Sequence, residues 1–230
     1  MRVLLNHRRS IFSDPGELGT HLDAFRCDSC PEEGRVTSPD PTDYASDFRC
    51  DKCEKVFPRA TLVELEEELL GRVEGADKSS DAELEGLLRE CLGRVSPTSH
   101  VVLALKRHLV YVYGRTPGRM LHQLPPELVS RKRELCEDLM AVLDVITPGL
   151  TKERGLTLFE LASVILFRAD KEEGPGGLKA LRRCEEILGE AVQCLRHERP
   201  ETFEHFVMLA AKKQLRQCAD LGEMLRIMQH

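Results

Sequence analysis

Two cysteine pairs, Cys27-Asp-Ser-Cys30 and Cys50-Asp-Lys-Cys53, stand 19 residues apart, and this spacing constrains the fold more than any other feature of the chain. Two residues between paired cysteines let a tight turn aim both sulfurs at one ion, and two such turns facing each other complete a tetrahedron. Four thiolates leave no open coordination position, so Cys27, Cys30, Cys50 and Cys53 are expected to hold one structural Zn2+ and not a catalytic one. The cluster would carry about two excess negative charges, with Arg26, Arg49, Lys52 and Lys55 as the nearest cations in sequence. A redox dithiol pair and a rubredoxin-type iron site use the same ligands and stay open at this point; the iron reading implies an electron-transfer module.

The other five cysteines, Cys91, Cys136, Cys184, Cys194 and Cys218, are scattered through helical sequence. An odd total of nine and no secretory signal fit a reducing compartment, in which single cysteines pack as small apolar groups. The expected location is cytoplasmic, nuclear or both. With 33 Lys and Arg against 39 Asp and Glu, the net charge of −6 argues against a chain that coats nucleic acid, where excess cations must meet phosphates. Apolar runs such as Val101–Leu105 fall far short of the ~20 residues of a spanning helix, so no membrane is expected as a partner.

Composition changes near residue 58. Before it, Pro and Gly punctuate stretches short enough for strands, around Asp23–Arg26, Arg35–Thr37, Asp47–Arg49 and Lys55–Phe57. After it, helical periodicity runs to the end. Thr61-Leu-Val-Glu64 and Ser80-Asp-Ala-Glu83 have the form of capping boxes and open helices over 61–74 and 81–93. Pro97 precedes a third, with Val101, Leu105, Leu109 and Val112 on one face, and Pro125-Pro126 opens a fourth that Pro148-Gly149 closes. The segment over 152–170 is apolar nearly all round, apart from a stripe of Thr157, Glu160 and Ser163, so other helices must surround it. Glu172–Gly177 reads as a turn. Two further helices follow, one with Leu181, Cys184, Leu188 and Leu195 inward, the last with Phe203, Phe206, Val207 and Ala210 inward. The expected fold is mainly α: a lead-in segment over 1–20, a four-cysteine zinc ribbon of short β-strands over 21–58, and an antiparallel, TPR-like helical array over 59–230.

Little else in the chain suggests chemistry. The eight histidines show no metal or triad spacing. Cys136 and Cys184 sit on periodic apolar faces and read as core. Glu64, Glu66, Glu67 and Glu68 read as a solvated face, and Arg131-Lys-Arg133 as a local basic spot. No catalytic and no cofactor-binding residue is expected.

The stretch Ser13-Asp-Pro-Gly-Glu-Leu-Gly-Thr-His-Leu-Asp-Ala-Phe-Arg-Cys27, with Asp40-Pro-Thr-Asp-Tyr-Ala-Ser-Asp-Phe-Arg-Cys50, resembles the post-SET region of the SMYD proteins, the SET-and-MYND protein lysine methyltransferases, in their arthropod SMYD-A branch. Arg131-Lys-Arg-Glu-Leu-Cys136, Val145-Ile-Thr-Pro-Gly149, Arg154-Gly155, Leu158-Phe-Glu-Leu161, Leu188-Gly-Glu-Ala191 and Arg199-Pro-Glu201 resemble that branch's C-terminal helical domain. The resemblance implies a zinc-ribbon region followed by helices that in related proteins wall the substrate cleft and meet protein partners. The family's catalytic SET core and MYND finger have no counterpart in these residues. His7, Arg9 and Phe12 stand where the family places a post-SET cysteine triplet. The expectation is therefore a non-catalytic fragment or short form, binding protein partners and no S-adenosylmethionine. The other reading is part of a longer protein (histone) lysine N-methyltransferase whose SET core lies outside this sequence.

Overall fold

The structure is a computed structural model and describes residues 24–30, 34–40, 43, 45–169 and 175–227. The expected lead-in over 1–20, with His7, Arg9 and Phe12, lies outside the described residues. The chain divides into two compact units, Met1–Val112 and Tyr113–His230. The compositional change near residue 58 coincides with the passage from strand to helix between Phe57 and Arg59.

In the first unit, four strands, β1 (Phe25–Arg26), β2 (Arg35–Thr37), β3 (Phe48–Cys50) and β4 (Val56–Phe57), pair antiparallel in chain order. Phe25 stands opposite Val36, Val36 opposite Cys50, and Phe48 opposite Phe57. The apolar content is small: Val36 is fully buried, and Phe25 meets Phe48 edge to face with ring centres 5.9 Å apart. Strands of two or three residues bury too little to fold as an isolated sheet.

Helices α1 (Arg59–Gly75), α2 (Asp81–Arg94) and α3 (His100–Arg115) follow. The first begins two residues before the expected capping box at Thr61, because Pro58 occupies the cap position and the Arg59 amide donates to the Asp47 carboxylate at 3.0 Å. A cap supplied from 12 residues upstream leaves no local signature. The second box is present, with Ser80 accepting from the Glu83 amide. Arg72–Glu90 and Arg94–Glu68 pairs bridge α1 and α2. The ribbon joins this unit directly: Phe25 bridges Val95, and the Ser96 amide donates to the Ala24 carbonyl at 2.8 Å. Val101, Leu105, Leu109 and Val112 are completely buried on one face of α3, as periodicity predicts.

The helical path of α3 ends at Tyr113 (ψ 100°) and Gly114, whose φ of 104° lies in the left-handed region that side chains avoid. The second unit then runs through a 3-10 turn (Leu121–Gln123) into α4 (Pro126–Ile146), α5 (Lys152–Ala169), α6 (Pro175–Leu195) and α7 (Phe203–Ile227). The centre of this unit is α5, which packs against α4, α6, α7 and the 3-10 turn. Its nearly all-round apolar sequence requires that placement. The close approach to α6 is made possible by Gly155, where a Cβ would lie 2.7 Å from Cys194 Cβ and from Leu195 Cγ.

Three local readings are corrected. Pro175 is the first residue of α6, so Gly176 and Gly177 lie in its opening turn and not in a loop; 172–174 lie outside the described residues. Proline at a helix start loses only an amide that has no intrahelical partner. Phe203 and Phe206 face outward, 49 % and 61 % exposed, because Val207, Met208, Ala211 and Cys218 supply the buried stripe of α7. Lys132 is buried within the supposed basic spot. Its ammonium donates to the Tyr113 carbonyl and to Glu160 Oε2 at 2.6 Å, and Glu160 also accepts from Arg115. Mainly helical architecture with a small cysteine-bearing antiparallel sheet is thus the fold.

Candidate metal centre

In an antiparallel meander, alternate turns lie at the same end of the sheet. The β1–β2 turn carries Cys27 and Cys30, the β3–β4 turn carries Cys50 and Cys53, and the β2–β3 connection lies at the opposite end. The 19 residues between the pairs are therefore one strand out, a return connection, and one strand back. Pairing of β2 with β3 sets the two turns side by side: Asp51 N donates to Arg35 O at 2.9 Å, and Arg35 N to Asp51 Oδ1 at 2.8 Å.

Each turn is closed by its own backbone. Cys27 N donates to Gly34 O at 3.1 Å and Gly34 N to Cys30 O at 2.8 Å; Cys50 N donates to Lys55 O at 3.0 Å and Glu54 N to Cys50 O at 3.1 Å. Glu54 takes a φ of 59° to make the second turn. Glycine at position 34 is a steric need, since a Cβ there would sit 2.6 Å from Cys30 Cβ and 2.8 Å from Cys27 Cβ. Amides aimed at sulfur add to the site, with Lys52 N 3.4 Å from Cys50 Sγ.

All four sulfurs lie within 4.8 Å of one another, and Cys27 Sγ is 3.7 Å from Cys53 Sγ. Thiolates on a tetrahedral zinc with bonds of ~2.3 Å stand roughly 3.8 Å apart, so the donor set fits that ion. Cys27 and Cys50 are buried, Cys30 is half-buried and Cys53 is exposed. The thiols are unequal. The Lys55 amide, followed by neighbouring thiols, brings Cys53 down to about 7, whereas the hydrogen bond with Cys53 and then burial push Cys30 up to about 12. Burial, above all, raises Cys27. A divalent ion would therefore meet Cys53 as the readiest thiolate and would have to displace protons from Cys27 and Cys30.

Of the four expected counter-charges, Lys55 is placed best. It grips Asp28, between the first two cysteines, at 2.6 and 2.7 Å, so each turn holds the other. The thiol sulfurs of Cys27 and Cys53 also favour its charged form. Sequence reading did not find this clamp; an acidic residue inside one cysteine pair and a basic one just beyond the other are its only trace. The remaining five cysteines are buried and apart from the cluster, with burial pushing Cys91 up to about 11 and Cys136 up to about 12. No histidine joins the ligand group among the described residues. All nine cysteines are free of disulfides.

With this geometry in hand, similarity to known proteins gains meaning. No family model matches the chain. The chain is 28 % identical over 138 residues to the SET domain-containing protein SmydA-8, isoform B, of Drosophila melanogaster, a match covering 59 % of this chain and 30 % of that relative. The matched region is thus less than a third of the relative's length, and a SMYD-like, SET-related affinity with a four-cysteine cluster is what geometry and comparison jointly support.

Proposed function

We propose that this chain is a non-catalytic zinc-ribbon and helical region of a SMYD-like SET-domain protein. In this reading one Zn2+, held by Cys27, Cys30, Cys50 and Cys53, staples a ribbon too small to fold by burial, and the TPR-like helices receive protein partners. The carrying observation is the gathering of four sulfurs within 4.8 Å, a donor set whose four ligands fill the tetrahedron and leave no position for substrate. The reading expects no S-adenosylmethionine on these residues, no nucleic-acid or membrane partner, and a cytoplasmic or nuclear setting. Elemental analysis of the purified protein tests it: one zinc per chain in a colourless preparation is expected. A red, iron-bearing preparation would establish the electron-transfer reading, and metal-free protein with a protected ribbon would overturn both.

The similarity to a SET domain-containing protein favours a second reading, in which these residues serve a full lysine methyltransferase. There the ribbon and helices position a substrate for a SET core elsewhere in the protein. Calorimetric titration of this chain with S-adenosylmethionine separates the readings, because measurable binding contradicts a donor-free region. Methyl transfer by a longer transcript product would establish the second.

A further inference from the structure

We propose that the outer face of α7 docks an acidic, amphipathic segment of another protein. This deepens the reading of the helical region as protein-binding and rests on it. Opposite the buried stripe of Val207, Ala211 and Cys218, helical spacing brings Phe206, Leu209, Lys213 and Arg216 onto one strip facing water. Phe206 is 61 % and Leu209 48 % exposed, with Phe203 on the flank. The solvent side of a helix ordinarily carries polar residues, and clustered large apolar groups there mark a contact surface.

The strip changes character along its length. Past Leu209 it turns basic, with Lys212, Lys213 and Arg216 all exposed and without an ion pair among the described residues. Some exposed cations elsewhere are paired, Arg72 with Glu90, Arg94 with Glu68 and Arg183 with Glu186, whereas this end of α7 gathers three on one helix with no such pair among the described residues. In a chain of net charge −6, three uncompensated cations beyond two apolar anchors select a partner of complementary order. That partner covers Phe206 and Leu209 with apolar side chains and sets carboxylates against the basic end, where Asp220, a turn further on, marks the limit of the positive charge.

Fluorescence anisotropy with two labelled synthetic helical peptides tests this. The peptides share one leucine face and carry glutamates or lysines on its flanks. The glutamate peptide should bind at least ~10-fold more tightly, with affinity falling as salt is added. Replacing Phe206 and Leu209 together by serine should weaken it roughly ten-fold, as loss of an apolar anchor does. Replacing Lys213 and Arg216 by glutamate should transfer preference to the lysine peptide. Both pairs are on the surface, and unchanged circular dichroism confirms folding. Equal affinity for the two peptides, or no binding of either, overturns the proposed chemistry. Binding that survives both double variants overturns the assignment to α7 while leaving the helical region protein-binding. Capture by phosphatidylserine vesicles that is lost in both variants, in place of peptide binding, would overturn the proposal and make the strip a membrane contact.

Discussion

The ribbon over residues 24–57 and the helical unit from Tyr113 onward solve the same problem with opposite means. The ribbon has strands of two or three residues and a core of little more than Val36, Phe25 and Phe48. Its order comes from convergent turns and a glycine that permits contact, and these bring together four sulfurs that could bind zinc. The helical unit buries whole stripes, including Leu135, Leu158, Leu188 and Leu195, around α5, and pairs the charge it buries at Lys132 with Glu160. Loss of one atom should therefore unmake the ribbon, whereas the helical unit should lose stability in proportion to what is removed.

The largest effect should follow Cys50→Ser. Apparent zinc-binding energies in structural sites are on the order of 10 kcal/mol, and ligand and fold are lost together. Hydrogen exchange should show protection collapsing over the described ribbon residues and reaching Val95 and Ser96, which are tied to Phe25 and Ala24. Helical circular dichroism should largely persist. If protection in α4 to α7 fell equally, the contrast between the two regions would fail. Gly34→Ala sharpens the point, since its methyl collides with both first-turn cysteines; it should weaken zinc retention against a competing chelator without touching a ligand.

Next in size is Lys132→Met. The Lys132 side chain is 1 % exposed, and removal of its ammonium leaves the Tyr113 carbonyl without that donor and Glu160 with Arg115 alone. Breaking one side of a buried pair costs ~3 kcal/mol or more, read as a lower denaturation midpoint. Adding Glu160→Gln should recover part of that loss, because the stranded charge goes with it. A double variant as unstable as the single one would show that the carbonyl contact dominates. Gly155→Ala should cost about 2 kcal/mol, by forcing α5 from Cys194 and Leu195.

These positions also show what the sequence could disclose. The convergence of the four cysteines, the four strands within a residue or two, and the central place of α5 were legible because spacing and periodicity are local records of three-dimensional demands. Lys132 was not legible: in sequence it is one of three consecutive basic residues, and its partner Glu160 lies 28 positions away. The α1 start failed for the same reason, Asp47 being a distant cap. Phe203 and Phe206 misled by hydrophobicity, which states what a side chain prefers and not which face of a helix the neighbouring helices cover. The Lys55–Asp28 clamp joins both kinds, with legible charges whose meeting only the sheet register determines.

The smallest predicted effect concerns acid, and it lies in the first unit. Burial, reinforced by the charges of Lys78 and Arg107, holds His108 down to about 4. The unfolded chain takes up that proton near pH ~6.5, whereas the folded one stays neutral until pH approaches about 4. Between those values the unfolded state binds more protons, so stability falls as pH is lowered and the loss is complete below the folded value. Carboxylates such as Glu68 and Glu90, lowered by Arg94 and Arg72, lose their contributions only once pH drops through the ordinary carboxylate range and below. The window above that range lies clear of these carboxylates. His108→Gln should flatten the decline between pH ~6.5 and ~5, while Lys78→Gln should make it shallower by easing protonation in the folded state. Zinc loss in acid would impose a decline of its own, common to wild type and variants, so the difference between their curves at matched metal loading is the quantity to measure. Parallel curves would mean that His108 keeps solvent contact enough to protonate in place, and that α3 buries its imidazole less than its position on the helix requires.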